Sequence, residues 1–196
     1  SNEILLDQLG SQHEDVHNQA MKAFIQQGPS AIGILIEQVG GENGYCDKFA
    51  RRAVEFMADQ STRPGAQEER TTVQNELIQC LLGRNTAEPY NFVLSILSRV
   101  GNCKSVPAIA TRLRDNETFE MARYALERIA CPIAADALLK ALRETACPQR
   151  QAALIKTLGV LHYAPAYPHL LKAIKHPNFE TRLTAIEALG KLYEPQ

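Results

Sequence analysis

The sequence predicts an all-α protein, an α-solenoid of antiparallel helix pairs. Three observations carry this reading. Small and apolar residues recur in one pattern about every 30 positions. Within each recurrence they sit three, four and seven residues apart, the spacing of one helical stripe. Prolines and glycines fall between the stripes and not inside them. The chain of 196 residues is 45% hydrophobic, enough for burial and too much for a disordered tail. A membrane-spanning helix needs about 20 apolar residues. The uncharged run Ala23–Ile36 is 14 residues long and contains Gln, Gly and Pro.

Six residues mark the end of the first helix in each pair: Gly28, Ala58, Gly101, Ala130, His162 and Tyr193, spaced by 30, 43, 29, 32 and 31. The stripe lies eight, five, four and one residues before each mark. The chain opens on a half unit, 1–11, where Ile4, Leu5, Leu6 and Leu9 predict a helix over Glu3–Leu9. Unit 12–41 holds helices Glu14–Gln27 and Ser30–Val39. Its stripe is Ala20, Ala23 and Phe24, and Gly28-Pro29 separates the two helices. Unit 42–84 follows the turn Gly40-Gly41-Glu42-Asn43-Gly44, with helices Tyr45–Asp59 (Ala50, Ala53, Val54, Met57) and Ala66–Leu82. The 43-residue spacing here hides about 13 extra residues, Gln60 to Thr72, read as an insertion that partly lengthens the following helix and offers a secondary contact.

Unit 85–115 holds Ala87–Val100 (Val93, Ile96, Leu97, Val100) and Lys104–Arg114, the second starting near Pro107. Unit 116–145 holds Glu117–Ala130 (Ala122, Ala125, Leu126, Ile129) and Pro132–Arg143, with Leu138, Leu139 and Leu142 as the second stripe. Unit 146–176 holds Pro148–Leu161 (Leu154, Thr157, Leu158, Leu161) and Pro165–Lys175, whose stripe is Leu170, Leu171 and Ile174. A half unit, 177–196, carries Asn178–Tyr193 with Ala185, Ala188, Leu189 and Leu192. One pair of helices cannot bury its own apolar faces, whereas stacking buries them. The chain is read as a single repeat domain over 1–196. Either the half units serve as caps or the array is a fragment of a longer one.

The run Asn178-Phe179-Glu180-Thr181-Arg182-Leu183-Thr184-Ala185-Ile186-Glu187-Ala188-Leu189-Gly190-Lys191-Leu192 resembles the first helix of a HEAT repeat, particularly the HEAT-like variety named for phycobilisome lyases. Val106-Pro107-Ala108-Ile109 resembles the start of a second helix. The position of Arg182 departs from the family elsewhere, being Gln151, Phe119, Tyr90, Asp47 and His17. The resemblance implies that the stack winds as a right-handed superhelix and that second helices line its concave face. It implies a noncatalytic scaffold binding another protein there. The alternatives it raises are a phycobilin-lyase-like or other HEAT-like enzyme, for which no residue identifies a bilin site, and nucleic-acid binding of the HEAT-like DNA glycosylase kind.

Charge and composition bear on these classes. Lys plus Arg is 21 against 22 Asp plus Glu, and Trp is absent, which argues against a nucleic-acid partner. The balance hides a gradient. Residues 1–40 carry one base against five acids, and residues 101–196 carry thirteen against nine. On the second helices, Thr111, Lys140 and Lys172 recur ten residues past the mark, and Arg114, Arg143 and Lys175 thirteen past it. Stacked, they form a basic track suited to an acidic helix of another protein, a phosphorylated segment or a nucleic-acid backbone.

One enzyme-like motif occurs, His13-Glu14-Asp15-Val16-His17, which fits H-E-x-x-H. It sits at a helix entry among polar residues without an evident third ligand, so His13 and His17 are metal candidates only by spacing. Several His-Glu pairs around iron mark deoxyhypusine hydroxylase, whereas His13-Glu14 is the one such pair here. His162, His169 and His176 are too far apart to chelate one ion and read as surface residues. Cys46, Cys80, Cys103, Cys131 and Cys147 form no C-x-x-C and read as single thiols in a reducing, cytoplasmic compartment. Neither a cofactor nor a membrane partner is expected.

Overall fold

Each stretch with the stripe pattern is a helix in the computed structural model, which describes residues 1–83 and 86–193. The expected unit boundary at 84/85 and the last three residues of the closing half unit lie outside the described residues. No strand occurs among the described residues, and the fold is an all-α solenoid of helix pairs. The chain divides into two compact units, Ser1–Gly101 and Asn102–Gln196.

The first unit contains α1 (Asn2–Leu9), α2 (Glu14–Gln27), α3 (Ile32–Ile36), α4 (Gly44–Gln60), α5 (Gln67–Leu82) and α6 (Ala87–Val100). Here α2 packs on α1 and α4, α3 on α4 and α5, and α5 on α6. The second unit contains α7 (Val106–Thr111), α8 (Phe119–Ile129), α9 (Pro132–Glu144), α10 (Pro148–Val160), α11 (Tyr167–Ala173) and α12 (Phe179–Tyr193). Here α9 packs on α7, α8 and α10, and α12 on α10 and α11.

The stripe forms the core of both units. The position eight before each mark is buried in all six repeats: Ala20, Ala50, Val93, Ala122, Leu154 and Ala185. Small residues there let helices approach closely, and the extreme case is Gly159 on α10. A Cβ at Gly159 would lie 2.6 Å from the Ala188 Cβ and 2.7 Å from its Cα. Several of the marks also act as helix stops. Gly28, Ala130 and His162 take positive φ of 74°, 51° and 48°, which breaks the right-handed helical path. For the two non-glycine residues this conformation costs roughly 1–2 kcal/mol.

Three second helices differ from their expected extents. Those anticipated over Ser30–Val39, Lys104–Arg114 and Pro165–Lys175 each open with a 3₁₀ turn, over Gly28–Ala31, Cys103–Ser105 and Ala164–Ala166, and keep only a short α core. Pro29, Pro107, Pro165 and Pro168 remove N–H donors from these first turns. Tighter bonds such as Ser105 N–H to Asn102 O at 2.9 Å take their place.

The insertion is mainly helix and not an extended loop. Residues 67–72 form the first turns of α5, so that only Ser61–Ala66 link α4 to α5. The link is held by Ser61 Oγ donating to Ala58 O at 2.6 Å and by an Arg63–Glu69 ion pair at 2.8 Å. The added turns of α5 have a use. The Arg70 Nε–H and the Gln74 amide both donate to Val100 O, a carbonyl at the end of α6 with no intrahelical partner.

The repeat position of Arg182 shows how the units tolerate sequence change. Arg182 Nη1 donates to His176 O at 2.9 Å, six residues back. Gln151 Nε2 donates to Thr145 O at 3.0 Å, and His17 Nδ1 pairs with Ser11 O at 3.0 Å, each also six back. Tyr90 OH donates to Gly83 O at 2.6 Å, while Asp47 Oδ1 accepts Gly40 N–H at 2.8 Å, each seven back. Where the position is Phe119, the neighbouring Thr118 hydroxyl donates to Arg112 O at 2.8 Å. Six different chemistries thus tie the start of each first helix to the preceding loop.

Candidate functional site

The H-E-x-x-H motif resolves into two unrelated structural residues. His13 is the N-cap of α2, and its N–H donates to Ser11 Oγ at 3.1 Å. His17 is buried, its ring stacked on Phe49 at 3.9 Å between centroids. Because the Ser11 carbonyl can only accept, Nδ1 of His17 carries the proton. Glu14 and Asp15 lie in the first turn of α2, where acids complement the helix dipole. Among the described residues no group of three or more His, Cys, Asp or Glu is placed to hold a metal ion.

The six basic-track residues all lie in the second unit, all exposed, and all line two grooves on its second-helix face. The first groove, of about 800 Å³, runs between the α7 end and α9 and takes Thr111, Arg114 and Lys140. Its charge is partly answered from within by Glu144, while Arg150, which also lines it, makes no ion pair among the described residues. Glu144 Oε2 lies 3.4 Å from Arg114 Nη2, and Glu144 Oε1 lies 3.9 Å from Lys140 Nζ. The Thr111 hydroxyl donates to Ala108 O at 2.7 Å, a bond within its own helix.

The second groove, of about 700 Å³, is bounded by α9, α10, α11 and the start of α12, and takes Arg143, Lys172 and Lys175. Leu142, Ile155 and Leu171 give it apolar lining. Leu171 is 40% exposed, although its repeat equivalent Leu139 is buried. No carboxylate lines this groove, and among the described residues its three cations make no ion pair. Arg143 Nε donates to His169 Nε2 at 3.0 Å, which requires a neutral imidazole. Partial burial, and then the charges of Arg143 and Lys172, hold the His169 pKa below its ordinary value. Thr145 lines both grooves.

Sequence reasoning did not find His169 as a partner of Arg143. The two are 26 residues apart on different helices, and no local pattern links them. It also missed Arg150, whose Nη1 donates to Leu113 O and Arg114 O at 3.3 Å each, and whose guanidinium lies 4.7 Å from the Phe119 ring centroid. The other two histidines have structural contacts. His162 forms the left-handed stop, and His176 Nδ1 accepts the Asn178 N–H at 3.1 Å.

Three of the cysteines have thiols held above their ordinary value. Cys80 is pushed up to about 11, first by burial and then by Glu76 and Glu37. Burial, then Asp47, raises Cys46, and a hydrogen bond with Cys131 raises Cys103. Cys131 and Cys147 are the N-caps of α9 and α10, and neither thiol caps its helix.

Stacked helix pairs joined by these repeated loop ties define the class as an all-α solenoid. Residues 135–196, which include most of α9 and all of α10 to α12, match the family model for HEAT repeats. No curated protein matches the chain. Among solved structures it is similar to the complex of CpcE and CpcF of phycocyanin lyase from Nostoc sp. PCC7120, at 19% identity and a TM-score of 0.56. That match covers 85% of this chain and 65% of the other, so this chain spans less than two thirds of its length. It is also similar to human deoxyhypusine hydroxylase, at 19% identity and a TM-score of 0.54, over 97% of this chain and 73% of that one. At such identity these similarities show the fold. No helix among the described residues is long and apolar enough to cross a membrane.

Proposed function

We propose that the protein is a noncatalytic scaffold that binds a partner protein along the second-helix face of its second unit. One observation carries the reading: six positions picked from the sequence for their repeat offsets and largely basic character, from Thr111 to Lys175, all line two grooves that share Thr145. A helix-pair stack presents such residues on rigid elements, so little ordering entropy is lost on binding. The partner offers an acidic segment, because the unit carries thirteen bases against nine acids. The fold is shared with a lyase subunit complex and a hydroxylase, and the present chain lacks the repeated His-Glu pairs that mark the second.

The test is affinity capture from the native cell lysate, with bound proteins identified by mass spectrometry. The same capture is then run with the Lys140→Glu/Lys172→Glu variant, which reverses one charge in each groove. Specific partners retained by the wild type should be lost from the variant. Equal recovery by both proteins overturns the reading.

A further inference from the structure

The two grooves are not equivalent, and their difference points to the kind of segment that binds. This inference rests on the reading of the second-helix face as a protein-binding surface. We infer that the second groove is the specific site, and that its ligand is an acidic amphipathic helix. Such a helix lays apolar side chains on Leu171, Ala173 and Pro177, over a floor of buried Leu142 and Ile155, and sets carboxylates against Arg143, Lys172 and Lys175.

Charge complementarity selects this occupant. In the first groove Arg114 and Lys140 already share Glu144, so an incoming carboxylate competes with a resident one. In the second groove no carboxylate lines the wall, and the three cations make no ion pair among the described residues. A ligand carboxylate there gains attraction without displacing a partner. The Arg143 Nε–H bond to His169 fixes the orientation of the guanidinium plane, which lowers the ordering cost of a two-pronged pairing with a carboxylate.

The apolar lining narrows the choice further. A purely acidic coil satisfies the cations and leaves Leu171, 40% exposed, uncovered. A helix carries apolar groups at i, i+3, i+4 and i+7 with acids alongside, matching a lining of apolar and basic residues side by side. A nucleic-acid backbone satisfies the cations as well, but it supplies no apolar face for the exposed Leu171 and Pro177.

The experiment is fluorescence anisotropy with a labelled acidic amphipathic peptide of about 18 residues, five helical turns with a Leu stripe flanked by Glu. A permuted peptide of identical composition, lacking the stripe, serves as control, and a labelled DNA duplex is the third probe. The striped peptide should bind the full chain more tightly than the other two. Lys172→Glu/Lys175→Glu should weaken it by about tenfold or more, and Arg114→Glu/Lys140→Glu by about twofold at most. Circular dichroism of each variant confirms that it is folded. Leu171→Ala should weaken the striped peptide alone, which separates apolar contact from charge. Failure of the striped peptide to bind, equal binding by the permuted peptide or DNA, or equal loss in both double variants each overturns the inference. The broader scaffold reading stands or falls separately, on whether captured partners are lost from the Lys140→Glu/Lys172→Glu variant.

Discussion

The two units share one repeat grammar and use it differently. Ser1–Gly101 carries eight bases against thirteen acids, and Asn102–Gln196 carries thirteen against nine. In the first unit, ionic groups link helices to one another. Arg51 bridges Asp47 at 2.8 Å and Glu88 at 2.5 Å, and Arg99 reaches Asp59 at 2.9 Å. In the second, Arg123 is held by Glu120 and Glu127 near Thr157, while the second-helix face keeps cations unanswered. The first unit also absorbs an insertion and converts it into a longer α5 that ties the end of α6. The family match falls only in the second unit. Regular repeats give a regular surface, and charge accumulates there in register. The irregular unit uses its charges to hold itself together.

The strongest way to break this comparison is through the cores, which should respond alike. Phe24 in α2 is fully buried, and Phe24→Ala should destabilise the first unit by about 3–5 kcal/mol. Chemical denaturation checks this, and a cost below about 1 kcal/mol would show that the stripe there is not a true core.

Close approach should separate the units next. Gly159→Ala places a methyl against the Ala188 backbone and should cost about 1–3 kcal/mol. The same repeat position in the first unit is Ile25 on α2, Glu55 on α4 and Ser98 on α6, each with a side chain already accommodated. Thermal denaturation of Gly159→Ala beside Ser98→Ala measures the contrast. Equal shifts would contradict it.

The loop tie allows a finer test. His17→Ala removes both the bond to Ser11 O and the stacking on Phe49, and should cost about 1–3 kcal/mol. His17→Gln borrows the residue that serves the second unit at Gln151 and should recover part of that loss. No recovery would mean that the tie is not interchangeable between units.

The smallest effect is on pH dependence. The His169 pKa is depressed, chiefly by desolvation and then by Arg143 and Lys172. The folded state therefore binds that proton less readily than the unfolded chain. The stability associated with neutral His169 is full above the ordinary histidine value of about 6.5 and is lost as pH falls through the lower folded value. His169→Gln should flatten this part of a stability profile between pH 8 and 5, the range in which histidine titrates. An unchanged profile would show that the Arg143–His169 bond is not formed in solution.

Much of this molecule was legible before any tertiary information. The offsets of three, four and seven located the first helix of each pair, because burying one stripe requires that periodicity whatever the neighbours are. The prolines were read correctly as helix starts. Their tightening of α3, α7 and α11 into short cores was not read, because a 3₁₀ turn leaves the same apolar pattern. The insertion was seen as extra length, but its contacts with Val100 depend on a fold-back between α5 and α6.

The six track residues followed from repeat spacing, and the sequence by itself determined which helix face they occupy, since equal offsets in equal units give equal directions. Only the tertiary structure decided which of their charges are answered. Glu144 reaches Arg114 from 30 residues away, and His169 meets Arg143 across 26. Such pairings arise from how helices pack, and helical periodicity carries no information about what a neighbouring helix brings to the same groove.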